Sequence, residues 1–109
     1  MTRPLRYVLV AALLAAAAAS GAADMKAGGA KAKEVCQACH GLDGNSSTPD
    51  YPKLGGQHPD YLGKALRDYK SGARKNAIMA GFAGTLSPQD IGNLAAYYAA
   101  QPPVVVVKH

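Results

Sequence analysis

The five residues Cys36, Gln37, Ala38, Cys39 and His40 constrain this chain more than any other part of its sequence. Two cysteines separated by two residues, with a histidine directly after the second, form the attachment signature of c-type haem. On a helical turn, residues three and four positions apart share a face. Each thiol can therefore add to one vinyl group of the same porphyrin, and His40 can reach the iron of that ring. The motif predicts one covalently bound haem c.

Other uses of paired cysteines fit the sequence less well. A redox dithiol of the thioredoxin type requires a βαβ pattern, which the sequence lacks. A disulfide framework would need a second pair of cysteines, and the chain has only Cys36 and Cys39. A zinc site would need His58 as a fourth ligand, with the adjacent Cys39 and His40 both bound to one metal. The dithiol and the zinc site remain the alternatives to haem.

The start of the chain has the pattern of a secretion signal. Arg3 and Arg6 precede an uninterrupted apolar run at residues 7–19, and small residues follow at 20–23. The run is shorter than the roughly 20 residues that span a bilayer. We expect cleavage after Ala23, with Ala22 as the alternative and retention as an uncleaved anchor as the other outcome. The sequence thus predicts a signal peptide at 1–23, a haem domain at 24–103 and a tail at 104–109, with no stable membrane span after processing.

Location, size and charge are consistent with this interpretation. Covalent attachment of this kind of haem typically takes place outside the bacterial cytoplasm, so we predict a periplasmic protein. A domain this small often needs an additional stabilising element such as a bound cofactor, and a haem would supply one. The formal charge of the 109-residue chain is +5, two of which belong to Arg3 and Arg6. No motif predicts nucleic-acid binding.

The predicted secondary structure is nearly all helical. Asp24 caps a helix over 25–35, where Gly28 and Gly29 indicate close approach of another backbone. Residues 41–58 are rich in turn formers and predict a long ordered loop along one edge of the haem.

A second helix is predicted at 59–71, and it is amphipathic. Its polar side predicts solubility or, alternatively, a docking patch for an acidic redox partner. The apolar face comprises Tyr61, Leu62, Ala65, Leu66 and Tyr69, and the basic residues are Lys64, Arg67 and Lys70, followed by Arg74 and Lys75 in the next loop.

The last third of the chain is predicted to contain an apolar loop and one more helix. Residues 76–86 are apolar and interrupted by glycine. Ser87, Pro88 and Asp90 then mark the start of a helix that runs to about Gln101. Its predicted buried face is Ile91, Leu94, Ala95 and Tyr98. The tail at 104–109 has strand propensity but no partner strand, and both disorder and a short packed extension are open.

The second axial position of the iron separates electron transfer from ligand chemistry. Met25, His58, Met79 and His109 are the candidate ligands after the motif. Met25 and His109 lie close to the ends of the processed chain, where a side chain is hard to hold rigidly. Met79 is favoured because 39 residues separate it from His40, enough to cross to the other haem face. His58 and an open site are the alternatives.

The chain resembles the small class I c-type cytochromes of bacteria, in particular one half of a dihaem cytochrome c4 or a monohaem relative of the c553 type. The matching stretches are VCQACHGLDG at 35–44, YPKLGGQH at 51–58, YL at 61–62, RKNAIM at 74–79, LSPQDI at 86–91 and AYY at 96–98. They follow in order over nearly the whole processed chain. One feature departs from the pattern, because cytochromes c4 carry two haem motifs and this chain has one.

The resemblance implies the cytochrome c fold, with the first and last helices crossing beside the haem. It places Gly28 or Gly29 against Tyr97, whereas helical periodicity places Tyr98 in the core. It also implies that the Pro52 carbonyl accepts a hydrogen bond from His40 and that Met79 is the distal ligand.

The sequence therefore predicts an all-α periplasmic protein with about four short helices around one haem, acting as a one-electron carrier between redox partner proteins and not as an enzyme. Two other functions stay open. One is a dedicated haem subunit of a dehydrogenase or oxidase. The other is an enzyme or gas sensor with an open distal site.

Overall fold

A computed structural model of the chain describes residues 22–104, which contain five α-helices and no strand. The helices are α1 (Met25–Val35), α2 (Gln37–His40), α3 (Pro59–Ser71), α4 (Ala77–Ala83) and α5 (Pro88–Ala99). The predicted all-α class is therefore confirmed. Within the described range, no helix is long and apolar enough to cross a membrane. The predicted signal peptide, apart from Ala22 and Ala23, and the tail beyond Val104 lie outside the described residues.

Helix α1 begins and ends where the sequence predicts and crosses α5 at a glycine. The Asp24 carboxylate accepts a hydrogen bond from the Ala27 amide at 3.0 Å, which caps the helix. A β-carbon at Gly28 would lie only 2.2 Å from the backbone oxygen of Asn93. The predicted close backbone approach is therefore confirmed at Gly28. At Gly29 the neighbour is a side chain, the ring of Tyr97.

Both tyrosines of α5 take part in packing, on different sides of the helix. Tyr98 is 3% exposed and belongs to the core, as the periodicity predicts. Tyr97 is half-buried, and it lies over Gly28 and Gly29 as the resemblance implies. The Tyr97 hydroxyl donates a hydrogen bond to the Leu42 carbonyl at 2.7 Å, which ties α5 to the loop after α2. The two expectations are therefore compatible.

Helix α4 corrects the sequence prediction, which placed an apolar loop at 76–86. The Asn76 side chain accepts hydrogen bonds from the Ile78 and Met79 amides and so starts a helix of seven residues. Helix α5 has the predicted capping box, with Ser87 and Asp90 each bonded to the other's backbone amide. It ends at Ala99, two residues earlier than predicted.

The segment 41–58 contains neither helix nor strand, as predicted, and it folds back on itself. The amides of Leu54 and Gly55 both donate to the Gly44 carbonyl, at 2.7 and 3.1 Å. Gly44 has a φ of +75°, and a β-carbon there would lie 2.5 Å from the Gly55 nitrogen. This contact closes the loop and brings residues 51–54 back toward α2.

Candidate haem site

A crevice runs between α2, α3, α4 and the 41–58 loop. It consists of two adjoining cavities of about 180 Å³ and 140 Å³, and we call it the haem crevice. Six residues line both cavities: Cys36, His40, Pro52, Leu66, Tyr69 and Met79. Cys39 lines the smaller one. All five site residues predicted from the sequence therefore lie on the walls of one crevice.

The cysteine motif forms the short helix α2. Cys36 precedes it as the N-cap, and the Cys36 carbonyl accepts from the amides of Cys39 at 3.3 Å and His40 at 3.0 Å. Neither cysteine forms a disulfide with another described residue. Burial raises the pKa of the Cys36 thiol, an effect that the neighbouring Tyr98 hydroxyl opposes. Two thiols and an imidazole thus lie on one helical turn at the crevice.

The tautomer of His40 follows from its hydrogen bond. The side chain is 6% exposed, and Nδ1 lies 2.8 Å from the carbonyl oxygen of Pro52. A carbonyl can only accept, so Nδ1 carries the proton and donates it. No partner for Nε2 appears among residues 22–104, which leaves its lone pair free for a metal. The Tyr51 ring packs edge-on against the imidazole, with 6.3 Å between the two ring centroids, and further limits the rotation of the imidazole.

The position of Pro52 is set by the loop around it. The Ser46 hydroxyl lies 2.6 Å from the Tyr51 carbonyl oxygen and 3.2 Å from that of Thr48, so one buried side chain spans the turn before Pro52. On the other side, the Leu54 amide is bonded to Gly44. The acceptor of the His40 proton is therefore held from both directions.

Met79 is the candidate axial ligand that the structure places at the crevice. It is half-buried in the first turn of α4, and its amide donates to the Asn76 side chain at 3.0 Å. His58 is exposed at the start of α3 and lines neither cavity. Met25 is 44% exposed at the start of α1, and His109 lies outside the described residues.

Helix α3 supplies the apolar wall of the larger cavity. All five residues of its predicted apolar face line that cavity, although Tyr61 is half exposed. Leu94, Ala95 and Tyr98 of α5 complete the wall from the other side. A flat apolar ring inserted here would cover this surface and join α3 to α5.

Two cations at the crevice were not recognised in the sequence. Arg74, which sequence reasoning assigned to solubility or docking, lines the larger cavity together with Lys53. The Arg74 guanidinium donates a hydrogen bond to the Tyr61 hydroxyl at 3.3 Å. Its central carbon lies over the Tyr69 ring, 4.9 Å from the ring centroid. No spacing in the sequence indicates this position, because it depends on how α3 and the following loop pack together.

The residues at the crevice fit a c-type haem. Thiols for two thioethers, a free imidazole nitrogen, a soft thioether sulfur and apolar walls match the attachment points, ligands and ring of that cofactor. The two cations match its carboxylate groups. The zinc alternative gains no support, because residues 22–104 contain no group of three or more His, Cys, Asp or Glu side chains able to hold a metal ion.

Comparison with known proteins agrees with this chemistry. Residues 25–100 match the family model described as Cytochrome c. The cytochrome c4 of Thiocapsa roseopersicina is 52% identical over 86 residues, covering 79% of this chain and 44% of that protein. Cytochrome c-554(548) of Halomonas halodenitrificans is 44% identical over 70 residues, covering 62% of this chain and 84% of that protein.

A solved structure shows the same fold. Reduced recombinant cytochrome c4 from Pseudomonas stutzeri superposes with a TM-score of 0.72 at 44% identity, covering 77% of this chain and 48% of that one. The chain spans about half the length of the cytochromes c4 that it matches. The family match and the attachment motif together identify its cofactor as a c-type haem. Because the family model covers most of the chain and the fold and the CxxCH turn agree with it, the chain belongs to the cytochrome c family.

Proposed function

We propose that this chain is a periplasmic one-electron carrier whose haem is held by thioethers from Cys36 and Cys39 and by His40 and Met79 as axial ligands. The observation that carries the proposal is that Met79 and His40 line the same crevice from two different helices. With both axial positions filled by protein side chains, a substrate or gas has no coordination site. A haem held there supplies reversible one-electron exchange between its ferric and ferrous states.

Contacts of the His40 ring and of the Met79 backbone restrain the two proposed ligands, which favours an electron carrier. His40 cannot rotate freely, because Pro52 accepts its proton and Tyr51 packs against its ring. Met79 is anchored by the Asn76 cap at the start of α4. Ligands that keep their places in both oxidation states minimise the rearrangement that accompanies each transfer.

An exposed apolar patch beside the crevice supports docking to partner proteins. Ile78 is 64% exposed and Phe82 is 44% exposed on α4, next to Met79 and along the smaller cavity. Electron-transfer encounters commonly use small, weak interfaces. The same patch supports the second candidate function, a haem subunit held permanently by a dehydrogenase or oxidase, because a stable partner would cover it.

The sequence supports export of this domain. The basic residues before an apolar run and the small residues at 20–23 favour a signal peptide cleaved after Ala23. Export suits covalent haem attachment, which typically takes place outside the bacterial cytoplasm. A haem domain over residues 24–103 accords with the helices at Met25–Val35 and Pro88–Ala99, which pack against each other.

A redox titration with a ligand challenge tests the carrier function. The purified holoprotein should titrate as a single one-electron centre, and its reduced visible spectrum should stay unchanged under carbon monoxide. Formation of a carbon monoxide complex in the wild type at neutral pH would instead show an open distal site and support the sensor or enzyme function. Gel filtration of the native periplasm separates the other two functions, because a free carrier elutes alone and a fixed subunit elutes with its complex.

A further inference from the structure

Three residues that begin at Pro102, shortly after the end of α5 at Ala99, are bound to the loop that carries Pro52. We call residues 102–104 the C-terminal strap. The Asn45 side chain donates from Nδ2 to the Pro102 carbonyl at 3.0 Å and accepts at Oδ1 from the Val104 amide at 2.9 Å. The Lys53 ammonium donates to the Val104 carbonyl at 3.1 Å. Three hydrogen bonds thus join a three-residue segment to a loop about 50 residues earlier in the chain.

The central residue of the strap packs against a glycine of the same loop. A β-carbon at Gly56 would lie 2.8 to 2.9 Å from three ring carbons of Pro103, and Gly56 has a φ of +77°. The Gly56 amide donates to the Tyr98 carbonyl at 3.0 Å. The loop is therefore held near both ends, by Asn45 and by Gly56, against the strap and the end of α5.

Pro52 lies between these two anchors, directly before Lys53. We propose that the C-terminal strap is a positioning element for the haem ligand: through Asn45 and Lys53 it keeps the Pro52 carbonyl on the Nδ1 proton of His40. The proposal rests on the proposed role of His40 as an axial ligand. It gives a function to Val104, the one described residue of the tail predicted at 104–109.

The chemistry of the strap suits a rigid brace. An asparagine side chain that pairs with the carbonyl of one residue and the amide two residues later copies the hydrogen bonds of a neighbouring strand. Two consecutive prolines have fixed φ angles, so little freedom is lost when they are held. Without the strap, the loop around Pro52 would be held by the Ser46 turn, the Gly44 contact and the bond from the Gly56 amide to the Tyr98 carbonyl.

The strap should also affect the reduction potential. An Nδ1–H that is donated to a well-placed carbonyl makes the imidazole a stronger electron donor, which favours the oxidised metal. A loosened loop weakens this bond, so the reduced state becomes more favoured and the potential rises. A purely structural role for the strap would lower stability but would leave the potential of the folded protein unchanged.

Two truncated holoproteins test the proposal. A chain that ends after Val104 keeps every contact described here, and a chain that ends after Gln101 loses the strap. In the reduced protein, proton NMR should show the His40 Nδ1–H exchanging about tenfold faster in the shorter chain, since three hydrogen bonds are lost. The potential of the shorter chain should rise, and the chain ending at Val104 should match the full-length protein in both measurements.

An Asn45→Ala substitution tests the strap without truncation, although it also removes the 3.3 Å bond from Asn45 Nδ2 to the Asp43 carbonyl, and Ser47→Ala is its control in the same loop. Asn45→Ala should speed the exchange and raise the potential, whereas Ser47→Ala should change neither. Unchanged exchange in both Asn45→Ala and the shorter chain would overturn the proposal. The exchange rate reports on the His40–Pro52 bond whatever binds on the far side of the haem, so a failed Met79 assignment would be seen separately in the spectrum.

Discussion

The carbonyl oxygen of Pro52 lies 2.8 Å from Nδ1 of His40, twelve residues earlier in the chain, and this contact leaves Nε2 as the ring nitrogen without a proton. Proline has no amide hydrogen, but its carbonyl is a full acceptor. The acceptor belongs to the backbone, so its position is determined by the fold of the loop and not by the proline side chain. The glycine at Gly44, the Ser46 turn and the C-terminal strap all act on that position.

The crossing of α1 and α5 should tolerate no side chain at Gly28. An alanine there would place its β-carbon 2.2 Å from the Asn93 carbonyl oxygen, so the helices must separate. We expect Gly28→Ala to lower the free energy of unfolding by about 3 kcal/mol. Gly92→Ala is the control, because Gly92 is exposed and a β-carbon added there would meet no atom within 4 Å beyond its own stretch of α5, so alanine should raise the free energy of unfolding by up to about 1 kcal/mol. Guanidinium unfolding of the holoproteins, followed by circular dichroism, measures both effects. An equal change in the free energy of unfolding for the two variants would contradict the close crossing.

The capping box of α5 should contribute a pH-dependent stability. The Ser87 amide, followed by its hydroxyl, holds the pKa of Asp90 below its ordinary value, although slight burial opposes the shift. Because the folded pKa is depressed, the ionised carboxylate stabilises the protein above the unfolded value of about 3.9. That contribution is lost as the pH falls from about 4 through the folded pKa.

Substitution of either residue of the box tests this dependence. Asp90→Asn should be less stable than wild type at pH 7, and the difference should shrink as the pH is lowered below about 4. Ser87→Ala should cost about 1 kcal/mol at pH 7. Thermal unfolding from pH 3 to 7 gives the difference directly. A wild-type advantage over Asp90→Asn that stays constant down to pH 3 would contradict the depressed pKa.

The guanidinium of Arg74 should raise the reduction potential. A cation at the crevice favours the form of the haem with the lower positive charge, which is the reduced form. Arg74→Gln should therefore lower the potential, shifting the one-electron equilibrium by about threefold to tenfold, and tenfold corresponds to about 59 mV. Lys75→Gln removes the same charge from an exposed neighbour that does not line the crevice. Spectroelectrochemistry measures the reduction potential of both variants. Equal shifts in potential would contradict a specific effect of the Arg74 charge at the crevice.

The sequence predicted those parts of the fold that depend on local signals. Helices α1, α3 and α5 have capping residues and apolar periodicity long enough to recognise, and all three were placed within two residues of their ends. Helix α4 was missed because seven residues are too few for periodicity. Its one strong signal is the Asn76 cap, which also favours a turn.

The site was predictable only where a motif or a resemblance covered it. The CxxCH turn is local, so Cys36, Cys39 and His40 could be read from spacing alone. Arg74 was missed because its position on the crevice wall depends on how α3 and the following loop pack together, which no spacing shows. The C-terminal strap was missed for the same reason, since Asn45 and Val104 are 59 residues apart.

The near-infrared absorption of the oxidised protein at neutral pH tests the central claim most directly, because methionine bound to ferric haem gives a weak charge-transfer band there. We predict this band in the wild type and in His58→Ala. Met79→Ala should lose it while keeping a covalently bound haem, as seen by haem staining of a denaturing gel. A wild-type spectrum without the band, or a band that persists in Met79→Ala, would contradict the assignment of Met79 as the ligand that closes the iron for electron transfer.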